Sequence, residues 1–148
     1  MRNEVPGRRT LFLMLTLVVI VLVFWQMAAQ RLSKAPSSGA EIAEVGPQTL
    51  AQMLSMGKPG ILEFYTGSCP SCIKIAPELA RVSSTYGAGL FVVRMNAEKY
   101  PAEASKYKVE VVPTLVYFGA SGTQVAAVPG YMDFDALVKN LKQLKMIE

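Results

Sequence analysis

The chain has 148 residues, about one domain's length, and a formal net charge of +4. From Glu41 onward 10 basic residues balance 10 acidic ones, so the surplus comes entirely from the first 40 positions. A nucleic-acid-binding domain would carry its basic excess on the folded part, and the lack of any histidine excludes Ser-His and Cys-His nucleophiles and His-ligated metal sites.

Residues 1–10 read as a short cytoplasmic segment. Residues 11–29, LFLMLTLVVIVLVFWQMAA, hold no charge and no polar face. At ~1.5 Å per residue this run spans about 28 Å, close to the ~30 Å hydrocarbon core of a bilayer. It is expected to be one transmembrane helix, a signal anchor, with Trp25 near its far interface. Arg2, Arg8 and Arg9 precede it, while Arg31 and Lys34 follow it. The positive-inside bias therefore favours a cytoplasmic N-terminus and places the rest of the chain outside the cytoplasm, on a single-pass bacterial-type inner membrane protein. A cleaved secretory signal is the alternative. Its apolar region is usually shorter, ~7–15 residues, and it would deliver the domain to the same compartment. Residues 30–40, with Pro36 and Gly39, read as a flexible linker.

The remaining residues, 41–148, read as one α/β domain. PQTLAQMLSM has helical spacing, with Leu50, Met53 and Leu54 on one side. GILEFYT is a short apolar run suited to a buried strand. From Pro70 to about Tyr86 a helix is predicted, because Cys72, Ile75, Leu79 and Val82 recur at three and four. LFVVRMN is a second strand, and YPAEASKY a short helix opened by Pro101. TLVYFG and TQVAAV are strands joined by a hairpin through ASG. Asp133 caps a last helix, with Phe134, Leu137, Val138, Leu141 and Leu144 inward and Lys139, Lys142 and Lys145 outward. A further short strand is conceivable near Ile42 to Val45. The order α-β-α-β-α-β-β-α implies a parallel pair, an antiparallel closing edge and a central mixed sheet with helices on both faces.

Cys69 and Cys72 are the two cysteines of the chain, in YTGSCPSCIK. Cys69 follows a strand and opens a helix, and Pro70 suits the first helical turn. A thiolate there is stabilised by the partial positive charge of the helix N-terminus, so its pKa falls below ~8.5. Cys72, one turn on at the head of the apolar stripe, is expected to be more buried and less ionised. That asymmetry suits an attacking Cys69 and a resolving Cys72. A zinc site is poorly served by two cysteines without histidine, and no metal is expected. A copper(I) carrier using the two thiolates remains an alternative, although five of the eight methionines precede the motif. A purely structural staple would close too short a loop to constrain the unfolded chain much.

From about Lys58 to Leu144 the chain resembles the thioredoxin family. ILEFYTGSCPSCIKIAPEL is similar to the family's strand–CxxC–helix segment, including Pro77 in mid-helix. VVRMNAEKYP is similar to its third strand, KYKVEVVPTLVYF to the approach to its cis-proline, and VPGYMDFDALVKNL to its last helix. The resemblance implies a thioredoxin-like fold and a thiol–disulfide oxidoreductase without a cofactor beyond the Cys69–Cys72 couple. It implies that Pro113 is a cis-proline and that Val112, Pro113 and Thr114 bind an extended substrate segment. It matches Glu63 to the family's buried acid, a proton relay for the resolving cysteine, where the bland alternative is a solvent-facing edge residue. Arg94 stands at the position of a family lysine near that acid. If the two pair, an always-charged arginine would hold Glu63 ionised, whereas burial would hold it protonated. Pro70 and Ser71 tune the thiolate, and ~30 mV of potential corresponds to ~1.4 kcal/mol. Ser68 and Tyr65 depart from the family, where tryptophans are common. Protein disulfides or dithiols are the expected partners, with a membrane electron donor and no nucleic acid. A tethered, non-catalytic binding module is the alternative.

Overall fold

The computed structural model describes residues 12–14, 17–25 and 42–148. The chain divides into two units, Met1–Ser37 and Ser38–Glu148. In the first, residues 17–25 form a helix, α1, residues 12–14 are helical as well, and all of these side chains are exposed. Among the described residues no helix is long and apolar enough to cross a membrane. The span expected over 11–29 takes in residues 11, 15–16 and 26–29, which lie outside the described residues, as do the segments 1–10 and 30–40.

The second unit runs α2 (Pro47–Leu54), β1 (Gly60–Tyr65), α3 (Pro70–Tyr86), β2 (Phe91–Asn96), α4 (Pro101–Lys106), β3 (Thr114–Phe118), β4 (Gln124–Pro129) and α5 (Phe134–Gln143). Four strands make one mixed sheet in the order β2-β1-β3-β4. β1 pairs in parallel with β2 and antiparallel with β3, and β3 pairs antiparallel with β4. β1 is thus central, and its residues Gly60 to Phe64 are buried on both faces, which is why GILEFY shows no polar alternation beyond Glu63. The short strand expected near Ile42 to Val45 is an isolated bridge, Glu44 to Arg94, on the outer edge of β2. Val45 N–H donates to Arg94 O at 2.9 Å and Arg94 N–H to Ala43 O at 3.0 Å.

Because strand side chains alternate between faces, the sheet builds two cores. On one face Ile61, Leu115 and Tyr117 pack with Ile75 and Leu79 of α3 and Leu137 of α5. On the other, Leu62, Phe64, Met95 and Phe118 pack with Leu50 of α2 and Tyr107 just after α4. Tyr107 meets Phe118 edge-on with ring centroids 5.4 Å apart, a favoured aromatic geometry. The stripe read from the sequence is the buried side of α3: Cys72, Ile75, Leu79 and Val82. Pro77 sits on its exposed side, where the donor it removes costs least.

Candidate functional site

The two cysteines sit where a strand hands the chain to a helix. β1 ends at Tyr65, residues 66–68 turn, and Cys69 is the N-cap of α3 with Pro70 in its first turn. Cys69 and Cys72 form a disulfide, with Cα atoms 5.3 Å apart. The Cys72 N–H donates to Cys69 Sγ at 3.1 Å, so that sulfur occupies the place of a capping oxygen and takes up one of the helix's unpaired donors. A negative charge on it is favoured by the same donor and by the helix dipole. Cys69 is 8 % exposed and Cys72 1 %, the asymmetry expected of them. Pro70 and Ser71 between them are exposed.

Antiparallel pairing of β1 with β3 places Phe64 opposite Thr114. The end of β1 that launches the cysteine loop therefore lies beside the start of β3, where Val112 and Pro113 precede Thr114. The Val112–Pro113 peptide is cis. Pro113 and Thr114 are buried, and Thr114 Oγ1 donates to Val111 O at 2.7 Å. Gly130, at φ +96°, turns its N–H onto Pro113 O at 2.8 Å. The left-handed backbone there suits glycine. The N–H and C=O of Val112 take no hydrogen bond among the described residues. Both are free to pair with an added extended segment. An open groove of about 380 Å³, lined by Thr66, Ala97, Ala104, Val109, Val111 and Val112, runs alongside.

Glu63 is wholly buried, on the sheet face that α3 covers. It is not the solvent-facing edge residue of the bland reading, because its strand is central. Arg94 is its cross-strand partner, and Arg94 Nε lies 3.5 Å from Glu63 Oε2. This is an ion-pair contact without a hydrogen bond: among the described residues neither Glu63 oxygen, nor Arg94 Nε, has a hydrogen-bond partner. Burial therefore prevails over the arginine's field. It pushes the Glu63 carboxyl up from an ordinary 4.5 to about 7, with Arg94 pulling the other way.

Sequence reasoning missed what lies beyond Arg94. Its guanidinium rests on the ring of Tyr65, with Cζ 3.6 Å from the centroid. The Tyr65 hydroxyl in turn donates to Glu44 Oε2. Residues 21 apart in the chain give no sequence signal of such contact. Three exposed apolar side chains were also missed. Ile73, 68 % exposed, follows Cys72, Val111 precedes Val112, and Tyr131 follows Gly130. Ile73 was legible in principle, since it falls off the α3 stripe. Among the described residues no group of three or more Cys, Asp or Glu could hold a metal ion.

The Thioredoxin family model matches residues 41–143. A thiol:disulfide interchange protein TxlA homolog of Synechocystis sp. is 33 % identical over 97 residues, covering 64 % of this chain and 54 % of that protein. The TxlA protein of Synechococcus elongatus is 26 % identical over 146 residues, covering 96 % of this chain and 74 % of its own. The chain thus spans about half the length of the first of these relatives and three quarters of the second. Among solved structures, a thioredoxin variant from Halobacterium salinarum superposes with a TM-score of 0.66 at 28 % identity, covering 77 % of this chain and 99 % of the other.

Proposed function

The chain belongs to the thioredoxin family, and from that premise we propose that it is a thiol–disulfide oxidoreductase exchanging electrons with protein disulfides or dithiols through Cys69 and Cys72. The observation that carries this reading is the Cys69–Cys72 disulfide at the N-terminus of α3, with Cys69 Sγ accepting the Cys72 N–H. In the reducing direction the Cys69 thiolate attacks one sulfur of a substrate disulfide. The substrate S–S bond breaks and one substrate thiolate leaves and takes up a proton. Cys72 then loses its proton and attacks Cys69, which closes the intramolecular disulfide and releases the second substrate thiol. Two electrons pass to the substrate, and the reverse sequence oxidises a dithiol. Glu63, protonated until about pH 7, is the proton-transfer group for Cys72. The free backbone of Val112, with Pro113 and Thr114 behind it, holds the substrate segment. Ile73, Val111 and Tyr131 offer it apolar contact.

The same proposal places the domain outside the cytoplasm on a single-pass membrane anchor, supported by the uncharged run 11–29 and the basic residues before it. A membrane electron donor would return the couple to its dithiol form.

Two assays test this. Full-length protein, Cys69→Ser and Cys72→Ser are compared for reduction of a protein disulfide. Cys69→Ser should lose activity, and Cys72→Ser should accumulate mixed disulfides through Cys69. Undiminished turnover in Cys69→Ser would overturn Cys69 as the nucleophile, whereas a parent chain without turnover and a Cys72→Ser chain without trapped adduct would favour a non-catalytic binding module. Separately, the full chain should stay with membranes through carbonate washing and leave them only in detergent. Release by carbonate would remove the anchor.

A further inference from the structure

Arg94 carries five N–H donors, and a buried carboxylate one strand away is the strongest partner it could have. The two do not close. Nε stops 3.5 Å from Glu63 Oε2, and Glu63 accepts no hydrogen bond. Another group holds the guanidinium. Tyr65 lies two residues beyond Glu63 on β1, hence on the same sheet face, and the Arg94 guanidinium sits over its ring, 3.6 Å from Cζ to centroid. Tyr65 is itself fixed by its hydroxyl, which donates to Glu44 Oε2. Glu44 sits in the bridge whose neighbours, Ala43 and Val45, hydrogen-bond both backbone groups of Arg94. Lys99 Nζ, 3.6 Å from Glu44 Oε1, closes the far end.

Resting on the reading of Glu63 as the proton-transfer group, we infer that Tyr65, tethered by Glu44, is a positioning residue that holds Arg94 on its ring and short of hydrogen-bonding Glu63. The chemical consequence is specific. A guanidinium closed on Glu63 would keep the carboxylate ionised at all working pH values. Held on Tyr65, it lowers the cost of ionisation without abolishing the proton that Glu63 exchanges near neutrality.

The charge states around the clamp agree. The Glu44 carboxyl is held below its usual range, first by the Tyr65 hydroxyl and then, against burial, which pushes it up, by Lys99 and Arg94. The Tyr65 phenol is pushed up, first by burial and then by Glu44, and stays neutral. Among the described residues, the other titratable side chains packed on the face of Glu63 are Tyr117, whose phenol burial also pushes up, and Tyr86, joined by Cys69 and Cys72 when their disulfide is reduced. Of the covering helices' charges, Lys74 and Arg81 of α3 and Asp135, Lys139 and Lys142 of α5 are exposed, and Glu78 pairs with Arg81 at 3.0 Å. Arg94 is the charge whose field acts on Glu63.

The experiment reads Glu63 directly, by titrating its side-chain carboxyl carbon with NMR in the full-length chain. Tyr65→Leu, which removes the ring, should lower the Glu63 midpoint by about one pH unit, a tenfold change in its ionisation ratio. Tyr65→Phe, which keeps the ring and removes the hydroxyl tether, and Glu44→Gln, which keeps the ring and loosens the tether by replacing a charged acceptor with a neutral amide oxygen, should lower it by less. They also carry the test if Tyr65→Leu does not fold. In an Arg94→Gln background the midpoint should rise above that of the parent and no longer respond to either position. A midpoint that is unmoved or raised in Tyr65→Leu, Tyr65→Phe and Glu44→Gln overturns the clamp, as does a response that persists without Arg94. The relay reading fails elsewhere: a Glu63→Gln chain whose Cys72 step keeps its full rate removes the relay and leaves the clamp intact.

Discussion

Glu63 is the residue at which burial and charge compete, and the outcome has a measurable effect on stability. The folded protein holds its proton to about pH 7, whereas the unfolded chain releases it at the ordinary 4.5. Folded molecules thus bind more protons between those values. The contribution of Glu63 to stability is fully present below pH 4.5 and is lost as pH rises through about 7. At ~1.4 kcal/mol per pH unit the loss is roughly 3 kcal/mol. Glu63→Gln does not titrate, so chemical denaturation should show it gaining roughly 3 kcal/mol on the parent between pH 4.5 and pH 8. A gap that stays constant over that range would mean Glu63 is not held protonated. At the sulfurs, the Cys72 N–H on Cys69 Sγ and the helix terminus favour the Cys69 thiolate. The rate of Cys69 alkylation in the reduced protein should therefore fall with a midpoint below ~8.5 as pH is lowered.

Elements place these residues through their ends. α3 begins on Cys69 because an extended N-cap and a proline in the first turn end the strand's course and start the helix. α5 begins on Asp133, whose Oδ1 accepts the Ala136 N–H at 2.9 Å. Asp133→Ala should cost about 1 kcal/mol in thermal or chemical denaturation. The β3–β4 hairpin turns through Gly122 at φ +76°, against the end of α2. A side chain there would bring its Cβ to 2.8 Å from the Leu54 carbonyl oxygen. Gly122→Ala combines a left-handed backbone with a backbone clash and should destabilise by about 1–3 kcal/mol. A loss within a few tenths of a kcal/mol would show that the turn can relax. Boundaries read from periodicity agree with the elements to within one or two residues, because each apolar run is interrupted by Gly, Pro or a polar turn that no strand or helix tolerates well.

At the scale of the molecule, the second unit contains both cores, one on each face of its sheet. A unit with its own cores is expected to fold by itself. A chain lacking residues 1–40 should unfold in one transition with the midpoint of the full chain, followed by circular dichroism. A broad or shifted transition would show that the sheet depends on the earlier segment. The expected membrane span is another matter. Hydropathy alone argues for it, and the described helical residues 12–14 and 17–25 fall short of its length.

The amino-acid sequence by itself determined the element order, the buried stripe of α3 and the position of Cys69 at a helix start. Those features follow from local propensity and period, which act over a few neighbouring residues. Only the tertiary structure decided that Glu63 is buried in a central strand, that burial outweighs Arg94, and that Tyr65 and Glu44 hold Arg94 aside. These depend on which strands become neighbours and on the low-dielectric interior they enclose. A carboxylate's charge is set by everything within several ångströms of it, and residues as distant in the chain as Glu44 and Arg94 meet through the bridge beside β2.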